Sequence, residues 1–403
     1  MKRALVNAAV IITMLVAPAD AWAQATGQIN GIVTDPSGAV LPGVTIEATS
    51  DATGATRSAV TGTDGLYTIP LVPPGVYTVK ATLQGFRTSQ RDNVRVTVTE
   101  TARVAFQLEV GQLTETITVS AEATLVETSN ATHGIVIDEQ KVVDLPLNGR
   151  NFTQLGTLIP GVVAPPGGLG GQAGDATPGG FGNATGGFNV NGMRNQSNNF
   201  LMDGATNNDT FNTGFVLRPP PDAIQEFKIL THAFSAEYGR NAGSVVNVVT
   251  KSGSNTLSGA VWEFNRDDAL NARNYFAPQT QPKPELKQNQ FGGAFGGPLM
   301  RNRLFGFGYY EGYRNDSGTT TNVLVLSEAQ RRGDFSATTA AIRDPLTGQP
   351  FPGNIIPSNR ISPAATQLLN EFVPLPNSPG NRYIVSPVVK DTRDQFGVRL
   401  DFQ

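Results

Sequence analysis

The sequence has no cysteine and only two histidines, His133 and His232. The absence of cysteine excludes a disulfide framework, a thiolate zinc site and a cysteine nucleophile. The two histidines stand far apart in the sequence, and no serine is flanked by a base that could activate it. We therefore expect neither an enzyme nor a bound metal or cofactor. The net charge of −3 is too small to predict electrostatic capture of nucleic acid.

The chain is also poor in long apolar runs, with one short run near its N-terminus. Lys2 and Arg3 precede the apolar stretch 8–17, and the small-residue pattern AWA follows at 21–23. This order of charged, apolar and small residues is typical of a secretory signal peptide. The stretch is too short for a membrane-spanning helix, which needs about 20 residues. We predict a signal peptide over residues 1–23 and an exported protein, which could span a membrane only as a β-barrel.

Glycine and proline are abundant, with 44 and 27 residues among 403. This content indicates a turn-rich, mainly β protein, and the length predicts two or three domains. Residues 24–110 show a period of two, in which Val44, Ile46 and Ala48 alternate with polar residues. Such alternation places one face in a core and the other in water. The segment therefore predicts a β-sandwich of about seven short strands.

The same segment carries the strings GQINGIVTDPSGAVLPGVTIEA and TDGLYTIPLVPPGVYTVKATLQGF. In these strings it resembles the carboxypeptidase regulatory-like domain, which has a transthyretin- or immunoglobulin-like sandwich fold. The resemblance implies a relation to carbohydrate-binding-like folds. Tyr67 and Tyr77, however, alternate with apolar neighbours, and this pattern predicts core residues rather than an exposed sugar platform. We expect a spacer or docking module.

A polar, β-prone linker follows over residues 111–122. Its segment Glu115-Thr116-Ile117-Thr118-Val119-Ser120 is similar to a TonB box, the extended peptide that the energy-coupling protein TonB captures by adding a strand to it. Two other interpretations stay open, namely one more edge strand of the sandwich and a plain linker. The position of the segment, directly before the next domain, favours the TonB box.

Residues 123–251 resemble the plug of TonB-dependent outer-membrane receptors. The resemblance is carried by NGMR at 191–194, FLMDG at 200–204 and GSVVNVVTKSG at 243–253. The glycine-rich stretch before them lacks the Gly-Lys-Ser/Thr end of a phosphate loop, and the acidic loop that begins at Asp203 lacks the ligand pattern of a calcium site. Three charged residues are predicted to form structural ion pairs with a barrel wall: Glu226, Glu237 and Arg240.

Residues 252–403 show alternation in which large apolar residues face small or polar ones, as in the wall of an outer-membrane barrel. Strands are predicted at 256–265, 289–297, 304–314 and 394–403, joined by one short turn and two long connections. FGGAFGGPL at 291–299 and LFGFGYYEG at 304–312 resemble early strands of Oar-like TonB-dependent receptors. Plugged barrels of this kind have about 22 strands, so we expect an incomplete barrel and the N-terminal part of a longer chain.

Together these features predict a mainly β chain with a sandwich, a plug and the first strands of an outer-membrane barrel. The resemblance implies uptake of a large or scarce solute across the outer membrane of a Gram-negative cell, driven by the inner-membrane proton gradient through TonB. The expected partners are TonB, outer-membrane lipid and an unidentified ligand, with the sandwich in the periplasm. A secreted or surface-bound adhesin, or a glycan-binding protein built from β-modules, is the alternative.

Overall fold

The computed structural model describes residues 25–111, 116–120, 133–164, 188–209, 214–235, 237–239, 241–273, 275, 283–318 and 320–403. The predicted signal peptide therefore lies outside the described residues. The chain divides into two compact units. One comprises Met1–Ala260, Gly293–Tyr310 and Gln395–Gln403, and the other comprises Val261–Gly292 and Glu311–Asp394.

The N-terminal region is a sandwich of two β-sheets. Its strands are β1 (Gly27–Thr34), β2 (Thr45–Ser50), β3 (Thr56–Val60), β4 (Leu66–Val72), β5 (Gly75–Thr82), β6 (Thr88–Val96), β7 (Thr101–Arg103), β8 (Phe106–Gln107) and β9 (Thr116–Ser120). One sheet has the order β3-β2-β5-β6-β9, and the other has the order β4-β1-β7 with β8 also paired to β1. The predicted β-sandwich is present.

The sandwich core is made by the apolar half of each alternating strand. In β1 every second residue is buried, and Ile29 and Val33 are fully buried. Tyr67 and Tyr77 are also buried, and their hydroxyl groups donate to the carbonyl oxygens of Val104 and Pro73. Burial raises the pKa of both hydroxyls, that of Tyr77 to about 12. Both tyrosines are thus core residues, as their alternation predicts.

The second region is built around a five-stranded sheet. Its elements are β10 (His133–Asp138), helix α1 (Glu139–Asp144), β11 (Val162–Val163), β12 (Asn189–Val190), β13 (Asn199–Met202), β14 (Ala205–Thr206), β15 (Ile224–His232) and β16 (Val245–Thr250). The sheet order is β10-β15-β16-β13-β14, and β11 and β12 form a separate pair among the described strands. All six residues of β16 are buried, as its β-branched sequence VVNVVT favours. Phe152 packs edge-on against Phe215 and Phe227 in the core beneath.

The C-terminal region has four long strands and a peripheral hairpin. The strands are β17 (Ser258–Asp267), β18 (Leu286–Met300), β19 (Leu304–Gly318), β20 (Thr321–Leu324), β21 (Arg382–Val385) and β22 (Val388–Phe402), and the helices are α2 (Glu328–Arg331) and α3 (Pro363–Phe372). The long strands pair in the order β17-β18-β19-β22, and β20 pairs with β21. The four predicted strands are present; β17 lies two residues later than predicted, and β18, β19 and β22 are longer than predicted. None of the helices within the described ranges is long and apolar enough to cross a membrane.

The end of β22 has one apolar face that is open to the surroundings. Phe396, Val398 and Phe402 are each at least three-quarters exposed, whereas Arg399 and Asp401 between them are partly buried. This alternation is what a strand shows when one face meets lipid and the other faces inward.

Candidate coupling and plug site

The segment that resembles a TonB box forms strand β9, which pairs with β6 of the sandwich. The pairing is parallel, and its register runs from Thr88 opposite Thr116 to Asp92 opposite Ser120. Glu115, the first residue of the predicted box, lies outside the described residues. The segment is thus an edge strand, and its extended backbone is the form that strand addition requires. Its role as the box stays a prediction.

The sequence explains why this segment is extended. Thr116, Ile117, Thr118 and Val119 are all β-branched, and such side chains fit a pleated strand better than a helix. The partner strand β6 is already paired with β5 on its other side, so β9 completes the sheet at that end.

Glu226, on strand β15, makes a contact with the sandwich. Its side chain is buried, and its Oε1 accepts a hydrogen bond from the backbone N–H of Val98 at 2.6 Å. Burial raises the pKa of this carboxyl to about 7, although the Val98 hydrogen bond and the charges of Arg95 and Lys228 act in the opposite direction. The charge of Glu100 adds to the upward shift of the pKa. The geometry makes Glu226 a docking residue between the two domains.

Neighbouring residues extend this contact between sandwich and plug. Gln225 Nε2 donates to the carbonyl oxygen of Pro74 at 3.1 Å. Just beyond the plug, Asn255 donates from its backbone N–H to Ala52 O at 2.9 Å and from Nδ2 to Thr53 O at 3.0 Å. Loops at one end of the sandwich therefore contact the plug and the chain that leaves it.

The other two predicted ion-pair residues are placed differently. Glu237 is exposed, and the neighbouring Tyr238 packs on a small cluster that includes Leu230 and Val245. Burial, with a further contribution from Glu237, raises the pKa of Tyr238 to about 12. Arg240 lies outside the described residues. Ion pairing of Glu226, Glu237 and Arg240 with a barrel wall stays a prediction.

A contact that the sequence did not point to joins the plug to a barrel strand. Asp203, in the turn after β13, accepts hydrogen bonds from the backbone N–H and the hydroxyl of Thr250, at 2.9 and 2.7 Å. Arg399 of β22 donates to Thr250 O at 2.9 Å and lies 3.5 Å from Asp203 Oδ1. The Nε of Arg399 lies 3.0 Å from the carboxylate of Asp401. We call Asp203, Thr250, Arg399 and Asp401 the plug clasp.

Little in the sequence predicts the contacts of the plug clasp. Asp203 is the acidic residue whose loop was rejected as a calcium site, and Arg399 and Asp401 are charged residues on one face of an alternating strand. A second ion pair, between Arg150 and Asp222, lies within the plug and is mostly buried. The described residues contain no cluster of histidine and carboxylate side chains that could hold a metal ion.

Three family models match consecutive parts of the chain. The carboxypeptidase regulatory-like domain matches residues 28–109, the TonB-dependent receptor plug domain residues 125–246, and the outer membrane beta barrel domain residues 249–403. The chain thus contains the plug domain of a TonB-dependent receptor followed by an outer membrane beta barrel domain. The receptor therefore resides in the outer membrane and belongs to a family that is not enzymatic.

A curated relative is the TonB-dependent transporter Oar of Myxococcus xanthus. The identity is 26% over 300 residues, which make up 71% of this chain and 26% of the relative. The receptor chain thus spans about a quarter of the length of the curated relative that it matches.

Two solved structures are similar to parts of the receptor. The siderophore receptor PirA from Acinetobacter baumannii is 19% identical, with 50% of this chain and 30% of PirA covered and a TM-score of 0.33. The outer membrane transporter YddB from Escherichia coli is 11% identical, with 65% and 30% covered and a TM-score of 0.34.

Proposed function

We propose that the receptor takes up a large or scarce solute across the outer membrane and that TonB drives this uptake by capturing the segment Thr116–Ser120. The plug clasp is the observation that carries the proposal. Within the described residues, side-chain contacts around Thr250 hold the end of the plug to strand β22, and the plug sheet and the sheet of β22 are separate. A plug held in this way can move without breaking the backbone pairing of the barrel strands.

The position of β9 supports the coupling role. It precedes the plug in the chain and is already extended. A partner that captures a strand gains main-chain hydrogen bonds, and a pull on that strand reaches the plug through the intervening residues. Outer-membrane lipid is the partner proposed for the apolar face of β22.

Proline at position 117 tests the coupling role. Proline removes a backbone donor and is excluded from the interior of a paired strand, so Ile117→Pro should prevent strand addition. We expect this variant to reach the outer membrane at the normal level and yet to behave like a deletion of the receptor. The measurement is growth of complemented deletion strains under every nutrient limitation in which the deletion strain grows more slowly.

Ile117→Val is the matched control, because it keeps the β-branched side chain and the backbone donor. It should complement the deletion fully, and a strain without TonB should show the same defect as Ile117→Pro. Full complementation by Ile117→Pro would mean that Thr116–Ser120 is not the segment that TonB captures.

A further inference from the structure

The sandwich holds the coupling segment at the end of a folded sheet. From this placement we propose that it presents β9 as a preformed edge strand and that a strand of TonB adds to the outer side of β9 while β9 remains paired with β6. This inference rests on the proposed function and adds a role for the sandwich, which is then a presenting domain rather than a spacer.

The sheet order is the first observation. Among the strands that the structure describes, β9 stands at one end of the order β3-β2-β5-β6-β9 and β3 at the other. A strand at the end of a sheet has one side paired and one side able to accept a further strand. The five residues of β9 are all in register with β6, from Thr88–Thr116 to Asp92–Ser120.

The chemistry of the two end strands is the second observation. Strand β3 has the sequence TRSAV, and its Arg57 places a charge on the edge, which opposes strand addition. Strand β9 has the sequence TITVS, with no charged residue, no proline and no glycine. Folded proteins usually protect an edge strand with charged residues or proline, so the sequence of β9 is suited to accept a partner strand.

The sandwich also lowers the entropic cost of ordering the segment when it binds. A free peptide must be fixed in an extended form when it binds, whereas β9 is already extended on the sandwich. Preorganisation reduces this cost and increases affinity. Addition to the outer side also leaves the hydrogen bonds to β6 intact, whereas release of β9 would break them. The sandwich is itself held to the plug at Glu226 and Gln225.

A disulfide between β6 and β9 tests this arrangement. Gln90 and Thr118 are opposite one another in the register, and the chain contains no cysteine of its own. In the double variant Gln90→Cys/Thr118→Cys, oxidation locks β9 onto the sandwich and a reductant releases it. The binding partner is the purified periplasmic domain of TonB, titrated by calorimetry. Three separate titrations use the receptor in detergent, the oxidised double variant, and a synthetic peptide of residues 111–122.

We expect the receptor to bind the TonB domain roughly tenfold or more tightly than the peptide does, equivalent to about 1.4 kcal/mol. The oxidised variant should bind as tightly as the receptor, and reduction should change nothing. The single variant Thr118→Cys controls for the substitution itself.

Two other outcomes would overturn the proposal in different ways. If the peptide binds but the oxidised variant does not, and reduction restores binding, then the sandwich sequesters the segment and TonB requires its release. If none of the three binds, then Thr116–Ser120 is not the coupling segment, and the proposed coupling role fails together with the inference.

Discussion

At the scale of single residues, Glu226 gives the contact between sandwich and plug a pH dependence. Its pKa is raised from 4.5 to about 7, chiefly because burial disfavours the charged form. A carboxyl with a raised pKa binds its proton more tightly in the folded state than in the unfolded state. Its contribution to stability is therefore full below about pH 4.5 and is lost as the pH rises through 7.

Glu226→Gln should flatten this pH dependence. Glutamine does not titrate, yet its carbonyl oxygen can still accept from Val98 N–H. We expect the thermal midpoint of the receptor in detergent to fall less between pH 5 and pH 8 in the variant, while the values at pH 5 stay close. Glu226→Ala is the contrasting variant, because it leaves Val98 N–H without its acceptor and should cost about 1–3 kcal/mol at both pH values. If the thermal midpoint of Glu226→Gln falls as much between pH 5 and pH 8 as that of the unmodified receptor, other groups cause the pH dependence.

Asp203 is the residue on which the plug clasp depends. Its backbone has a φ of 50°, a left-handed conformation that asparagine tolerates better than alanine does. Asp203→Ala removes the acceptor for the N–H and hydroxyl of Thr250 and also strains the backbone. We expect the local opening free energy at Thr250 to fall by about 2 kcal/mol, measured by amide hydrogen exchange. In Asp203→Asn the opening free energy at Thr250 should fall by less than half of that amount. Equal decreases in the two variants would mean that the side-chain acceptor and the left-handed backbone at position 203 do not hold Thr250.

At the scale of elements, the sandwich depends on a close approach of the backbone at Gly31. A Cβ atom at Gly31, in the middle of β1, would overlap the carbonyl oxygen of Val104. Since that atom belongs to the backbone, Gly31→Ala should destabilise the sandwich by more than about 3 kcal/mol. The measurement is pulse proteolysis of the receptor across a urea series.

Gly75→Ala is the matched control in the same sandwich. A Cβ atom there would lie 3.7 Å from the ring of Tyr77, which is ordinary van der Waals contact. We expect a change of less than about 1 kcal/mol. If both substitutions cost the same, the close approach at Gly31 is not what makes that position sensitive.

The strands of the fold can largely be predicted from the sequence, whereas their ends cannot. Period-two alternation is a local signal, so it finds strands such as β2 and the four long strands of the C-terminal region. Strand ends are less well defined by local signals. Pro298 suggests a turn, and yet β18 continues to Met300, because a proline is tolerated in a strand where no ladder donor is needed at its position.

The candidate site is harder to predict, because its contacts join distant parts of the chain. Nothing near Thr116 in the sequence points to Thr88 as its partner, since sheet pairing is decided by the folded sandwich. Asp203 and Arg399 are likewise brought together only when the plug meets a barrel strand. Sequence patterns can predict that such residues lie in a strand or show that they are charged. The contacts that these residues make depend on the tertiary fold.

At the scale of the whole molecule, the sandwich and the plug have separate cores. Every member of the sandwich core lies between Ile29 and Leu108, whereas the main plug core begins at Ile137. The two domains meet through hydrogen bonds such as Glu226–Val98 and Gln225–Pro74. A domain with its own core and a polar contact to its neighbour is expected to fold independently.

This independence allows β9 to be tested apart from the barrel. Residues 24–110, expressed alone, should form a soluble monomeric β-sandwich with a cooperative thermal transition, and a fragment of residues 24–122 should add β9 to it. Because β9 pairs with β6, the longer fragment should show slower amide hydrogen exchange in β6 between Ser89 and Asp92. Exchange in β1, which lies in the other sheet, should be the same in both fragments and serves as the internal control.

A fragment 24–110 that shows only coil by circular dichroism would mean that the sandwich needs the plug to fold. Equal exchange in β6 would mean that β9 is held there only in the presence of the plug, because without that pairing the edge of β6 is open in both fragments.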